Sequence, residues 1–222
     1  MRQERLNDAA IALYKVLSEN NIKHGIFGGW AVAIRGGPRE SKDIDCLVAS
    51  DKQQVLMVLD GRDGFRFISQ TREDYVAFFW NDGTSSESVL VELFVGSTAA
   101  MQTLVPTVFQ VRGEKLGEKP ASLLDVVYLF KGKLRAAATR EKHSDAADLV
   151  YLESTFLDKL RNSASQFSLY YSGLALKRYP HLLYAFQRIG IDTEAAEKEV
   201  ESISLNDLPP PQSGDVQKGL LG

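Results

Sequence analysis

Residues 28–48 read GGWAVAIRGGPRESKDIDCLV. Two carboxylates, Asp43 and Asp45, stand two positions apart, shortly after a glycine pair, Gly28-Gly29. On a β-strand, residues two apart point to the same face, roughly 7 Å apart along the strand. Two carboxylates so placed suit a divalent cation; Mg²⁺ in particular favours carboxylate oxygens shared with substrate phosphates. A solvated strand end is the alternative reading. The glycine pair permits a close backbone approach, and a helix opening behind it offers free N–H groups, a cradle for phosphate; it also reads as an ordinary tight turn. A third acid, Glu92, interrupts the apolar run VLVELFV at residues 89–95. A carboxylate among apolar neighbours must find a cation or shift its protonation equilibrium, unless the strand lies at an edge and Glu92 faces water.

The elements that must position these residues follow from periodicity. Leu6, Ala9, Ala10, Leu13, Val16 and Leu17 recur at helical spacing and predict a helix over 3–20. A short strand, Lys23 to Phe27, leads into the glycine pair. A helix over Trp30 to Arg35 ends at Gly36-Gly37-Pro38. Asp43 to Val48 alternates, with Ile44, Cys46 and Val48 on one face and Asp43, Asp45 and Leu47 on the other. A helix is expected over Asp51 to Asp60, and strands over Phe65 to Ile68, Tyr75 to Trp80, Val89 to Val95 and Val108 to Arg112, with Asn81-Asp82-Gly83 as a turn. Beyond Pro120 the pattern turns helical: Ser122 to Ala138, Ser144 to Phe156, Phe167 to Tyr179 and a weaker stretch from His181 to Ser202. Residues 206–222 hold three consecutive prolines and read as a flexible tail. The expected class is α+β, with a catalytic domain over 1–115, a helical domain over 116–205 and the tail.

Of 222 residues, 44% are apolar and 25% charged, ordinary values for a globular chain with a sizeable core. A net charge of −3 argues against a broad nucleic-acid surface, though not against a local basic pocket. The single cysteine, Cys46, excludes an intramolecular disulfide and sits on the core side of its strand. The first residues contain no long apolar run, so neither a signal peptide nor a membrane span is expected there, and a cytoplasmic protein is the expectation.

Taken jointly, the glycine pair, a thirteen-residue spacer, Asp-apolar-Asp and a later apolar-Glu-apolar strand resemble the DNA polymerase β-like nucleotidyltransferase superfamily. The wording FGGWAVAIRGGPRESKDIDCLV is especially similar to small antibiotic (aminoglycoside and lincosamide) nucleotidyltransferases and to minimal or AbiEii-type nucleotidyltransferases. A second stretch, KGKLRAAATREKHSDAADLVYL, resembles a Lys-x-x-Ala-x-x-x-Arg-x-Lys-x-x-Asp-x-x-Asp-Leu pattern of the same groups, at Lys133, Ala136, Arg140, Lys142, Asp145, Asp148 and Leu149. The resemblance covers roughly residues 24–155.

The resemblance implies a nucleotidyltransferase fold, a mixed twisted sheet flanked by helices and followed by a helical region. It implies transfer of NMP from an NTP to a hydroxyl or amino acceptor with release of pyrophosphate. Asp43, Asp45 and Glu92 would be the catalytic and metal-binding acids, serving two Mg²⁺ ions, with Mn²⁺ as a substitute. Gly28, Gly29, Arg39, Ser41 and Lys42 would meet the phosphates, joined by Lys133 and Arg140, while Asp145 and Asp148 brace or orient those bases. ATP is among the expected nucleotides, and a small-molecule acceptor is favoured over protein or RNA. The pattern departs at Gly29, where many members carry serine, leaving Ser41 or backbone N–H groups to serve. An alternative is a nucleotide-binding regulatory or toxin–antitoxin-like protein on the same fold, without turnover. The aromatics Phe167, Tyr170, Tyr171, Tyr179, Tyr184 and Phe186 read either as core or as an acceptor pocket.

Overall fold

The computed structural model describes residues 3–221, and the chain divides into two compact units between Asp125 and Val126. The first unit opens with helix α1 (Gln3–Glu19), followed by strand β1 (His24–Phe27), helix α2 (Gly28–Ile34), strand β2 (Asp43–Val48) and helix α3 (Lys52–Leu59). Strands β3 (Phe65–Ile68), β4 (Tyr75–Trp80) and β5 (Val89–Val95), the short helix α4 (Ala99–Gln102) and the hairpin of β6 (Thr107–Arg112) and β7 (Glu118–Leu123) complete it.

The strands form one seven-stranded mixed sheet in the order β3-β4-β5-β2-β1-β7-β6. The central strand, β2, runs parallel to β5 and antiparallel to β1. Its alternation is as expected: Ile44, Cys46 and Val48 are fully buried, while Asp43 and Asp45 are only partly covered. The apolar stripe of α1 is fully buried, through Leu6, Leu13 and Leu17. Each such side chain contributes about 1.5–3 kcal/mol by leaving water. At the other end of the sheet, the buried Asp8 carboxylate of α1 accepts hydrogen bonds from Lys115 N and Leu116 N, at 3.0 and 2.9 Å, and so anchors the β6–β7 turn.

In the first unit, two boundaries differ from the expectation by two residues or more. Helix α2 begins at Gly28 rather than Trp30, so the glycine pair forms its first turn. Residues 118–123 are a strand, where loop and the start of a helix at Ser122 were expected. Pro120 hid it, since proline lacks a ladder donor. The strand tolerates it because Pro120 faces only β6, opposite Gln110, whereas β1 meets β7 further on, at Leu123. Ser122 Oγ also donates to His24 O, at 2.7 Å.

The second unit contains helices α5 (Val126–Thr139), α6 (His143–Arg161), α7 (Leu169–Arg178), α8 (Leu183–Ile189), α9 (Thr193–Glu199) and α10 (Asp215–Leu221). Helix α6 is kinked at Phe156, whose φ of −125° and ψ of 30° are not helical. The single weak helix expected over 181–202 is divided at Gly190 and restarted at Asp192, whose carboxylate caps Ala195 N at 2.9 Å. The expected flexible tail instead carries α10: Leu220 is fully buried, and Asp215 lies 3.4 Å from Arg135 of α5. Gly222 lies outside the described residues. Among the described residues, no helix is long and apolar enough to cross a membrane.

Candidate active site

The three acids share one face of the sheet. Asp43 and Asp45 alternate to the same side of β2, and Glu92 lies directly beside Asp45 in the parallel register of β2 and β5. Adjacent strands lie roughly 4.8 Å apart. All three side chains are partly exposed. Phe27, the last residue of β1, pairs with Asp45, and this register brings the glycine turn onto the acids.

That turn is built around missing side chains. Gly28 has a φ of +71°, in the left-handed region that favours glycine. A Cβ added there would lie 2.1 Å from Asp45 Oδ2, so the carboxylate occupies the space a side chain would fill. A Cβ on Gly29 would lie 2.8 Å from Ser41 Oγ and 3.0 Å from Arg39 Nη2. The Ser41 hydroxyl thus stands beside Gly29; Ser41 is buried and donates to Asp43 Oδ1 at 3.1 Å. No side chain caps the first turn of α2, whose N–H groups lack intrahelical acceptors. Gly28, Gly29, Arg39, Ser41, Asp43, Asp45 and Glu92 thus come together within the first unit.

Lys42 does not join them; its side chain is exposed and makes no hydrogen bond or ion pair with the described residues. Lys133 and Arg140 belong to the second unit. Lys133 is buried on α5, its ammonium 3.0 Å from Asp145 and 2.8 Å from Asp148, both buried on α6. Arg140, just past the end of α5, is half exposed and reaches Asp145 at 2.8 Å. Burial pushes the Asp145 carboxyl up, but Arg140's hydrogen bond and the charges of Lys133 and Arg140 outweigh it, leaving Asp145 below the usual carboxylate range. Lys133 thus stands between Asp145 and Asp148, and Asp145 also pairs with Arg140. Of the six aromatics in this half, Phe167, Tyr179 and Phe186 are buried and Tyr184 is exposed.

One residue escaped the sequence reading. Tyr75, the first residue of β4, donates its hydroxyl in a hydrogen bond to Glu92 Oε1. Its ring packs on Phe94 at 5.4 Å, and the Arg72 guanidinium sits 5.3 Å over it. Burial raises the phenol's pKa, and the hydrogen bond and charge of Glu92, with the charge of Asp45, raise it further. The only sequence signal was cross-strand register: Ala77 pairs with Glu92, which sets Tyr75 two residues away on the same face.

Among the described residues, no group of three His, Cys, Asp or Glu side chains is arranged to hold a metal ion. The donors nevertheless fit Mg²⁺, which is usually held by one or two carboxylates completed by substrate phosphates and water rather than by an all-protein cage. Two partly exposed aspartates on one strand face, beside an anion-ready turn, match that description.

No protein-family model and no curated protein matches the chain. The solved structures it resembles include nucleotidyltransferases. One is the lincosamide antibiotic adenylyltransferase LnuA with lincomycin bound, at 12% identity and a TM-score of 0.43, over 64% of this chain and 92% of that one. Another is ANT(2″)-Ia in complex with adenylyl-2″-tobramycin, at 14% identity and a TM-score of 0.46, over 66% and 86%. A third is MenT4, a nucleotidyltransferase toxin from Mycobacterium tuberculosis H37Rv, at 17% identity and a TM-score of 0.43, over 99% and 89%.

Proposed function

We propose that this chain is a Mg²⁺-dependent nucleotidyltransferase, which moves NMP from an NTP to a hydroxyl or amino group of a small acceptor in the cytoplasm and releases pyrophosphate. One observation carries the reading: three carboxylates share a sheet face against a glycine turn whose missing side chains are replaced by Asp45, Ser41 and Arg39. Acids alone would repel a triphosphate, and a basic turn alone would bind any anion. Side by side, they suit a metal–triphosphate.

In this mechanism the N–H groups of the α2 first turn, the Arg39 guanidinium and the Ser41 hydroxyl bind the β- and γ-phosphates and neutralise their charge. Lys42 is free to swing in from solvent. Asp43, Asp45 and Glu92 would hold two Mg²⁺ ions together with the phosphates, and the bound metal would supply Lewis-acid stabilisation to the attacking and departing oxygens. Glu92 accepts the proton of the acceptor hydroxyl as its oxygen bonds to the α-phosphorus. The bond to the pyrophosphate oxygen breaks in line with that attack. Positioning and fixed charge supply most of the acceleration.

The test is thermal melting with ATP, GTP, CTP and UTP, each with and without Mg²⁺, on wild type and Asp43→Ala. Ligand at a hundred times its dissociation constant stabilises by about 2.7 kcal/mol. The expected result is a metal-dependent rise in Tm for at least one nucleotide, absent from the variant. A nucleotide shift that survives both EDTA and Asp43→Ala would overturn the reading.

A further inference from the structure

Glu92 is the acid whose orientation matters most, because of the three it is the one proposed to meet the acceptor. A glutamate has three side-chain torsions, and nothing in its own strand fixes the last of them. The contact that does fix it comes from β4: the Tyr75 hydroxyl bound to Oε1. Tyr75 is itself packed, its ring against Phe94 and under the Arg72 guanidinium. Arg72 is in turn clamped by Asp74 through two hydrogen bonds, at 3.0 and 2.6 Å. The row Asp74–Arg72–Tyr75–Glu92 thus ends on one oxygen of the candidate base and leaves Oε2 as the oxygen available to the reacting groups.

Building on the proposed function, we infer that Tyr75 is a positioning residue that sets the orientation of Glu92, and that Arg72 and Asp74 hold Tyr75 for that purpose. Partners of this kind behind a ligating carboxylate typically govern metal affinity or activity by about 10- to 100-fold. Among the described residues the phenol's hydrogen bond runs to Glu92 and not to the Gly28–Gly29 turn, Arg39 or Ser41, so its removal should spare nucleotide affinity.

The experiment compares wild type with Tyr75→Phe, which keeps the ring on Phe94 and under Arg72 and deletes only the donor. Mn²⁺ binding is titrated by electron paramagnetic resonance, with a non-hydrolysable NTP analogue present. In parallel, conversion of NTP to NMP and pyrophosphate is followed with water standing in for the acceptor. The expected result is weaker Mn²⁺ binding and a kcat lowered by about 10-fold or more, with KM for NTP unchanged. Val76→Ala, which loosens the same strand from its buried face, controls for destabilisation and should leave both readouts near wild type.

Wild-type Mn²⁺ affinity and kcat in Tyr75→Phe would overturn the inference, as would the same losses in Val76→Ala. Nucleotide label found covalently on Tyr75 would overturn it too, by making the phenol an acceptor rather than a positioner. If wild type itself binds no metal–nucleotide, the proposed function fails first and this inference falls with it.

Discussion

Replacing Lys133 by methionine should destabilise the protein more than any surface charge deletion. The ammonium stands between two carboxylates, 3.0 and 2.8 Å away, and the side chains of Lys133, Asp145 and Asp148 are 7%, 0% and 1% exposed. Water screens none of them. Methionine refills most of the volume, so the cost is electrostatic: Asp148 loses the Lys133 ammonium, and Asp145 keeps only the half-exposed Arg140. Removing one member of a buried ion pair typically costs about 3–5 kcal/mol, a large share of a total stability of roughly 5–15 kcal/mol. At about 2–4 °C per kcal/mol for a chain of this size, Tm should fall by roughly 6–20 °C. Arg140→Met is the contrast: the Arg140 side chain is 55% exposed, so its loss should cost under about 1 kcal/mol. Urea unfolding followed by circular dichroism measures both. Adding Asp145→Asn and Asp148→Asn to Lys133→Met should restore part of the loss, because the buried negative charge goes with its counterion. A Lys133→Met protein within about 1 kcal/mol of wild type would refute the buried network.

Three further outcomes are expected. Gly28→Ala forces a Cβ to within 2.1 Å of Asp45 Oδ2 at a φ of +71°; the left-handed backbone alone costs about 1–2 kcal/mol, and the displaced carboxylate should abolish metal-dependent nucleotide stabilisation in the melting assay. Asp45→Asn relieves the repulsion among three acids on one face, so in EDTA it should raise Tm by about 2–4 °C, for a gain of about 1 kcal/mol; a lower Tm there would show that the cluster carries no strain. Burial lowers the pKa of His24 below the ordinary imidazole value, against a raising effect from the Ile22 carbonyl. The unfolded chain therefore binds this proton first, and stability contributed above the unfolded pKa is lost as pH falls below it, by up to about 1.4 kcal/mol per pH unit. Denaturation curves at pH 7 and pH 5 should show a shallower loss for His24→Phe than for wild type.

The acids were legible because their chemistry and periodicity coincide: Asp-Ile-Asp fixes a face, and an acid inside VLVELFV stands out in any register. The glycine pair was legible as a turn, but its fit to Asp45 was not, since that depends on β1 pairing Phe27 with Asp45 across the sheet. The position of Ser41 was not legible, since only the folded loop shows its hydroxyl beside Gly29. Tyr75 was invisible for the same reason, its partner being seventeen residues away on another strand. Strand β7 was lost to Pro120, a residue read correctly for its local effect and wrongly for its neighbours. The tail was misread because prolines 209–211 mask the apolar anchor beyond them, Leu220. Local propensity marked the elements, while pairings between distant residues decided which side chains meet.

The most direct test of nucleotidyl transfer follows two labels at once. Wild type and Asp43→Ala are incubated with Mg²⁺, a panel of hydroxyl- and amine-bearing small molecules, and the NTP that stabilises the protein, labelled in separate reactions at the α- and the γ-phosphate. The expected result is α-label on an acceptor and γ-label in pyrophosphate, with both products absent from Asp43→Ala. Label from the γ-phosphate on the acceptor or released as orthophosphate, or products undiminished in Asp43→Ala, would contradict it.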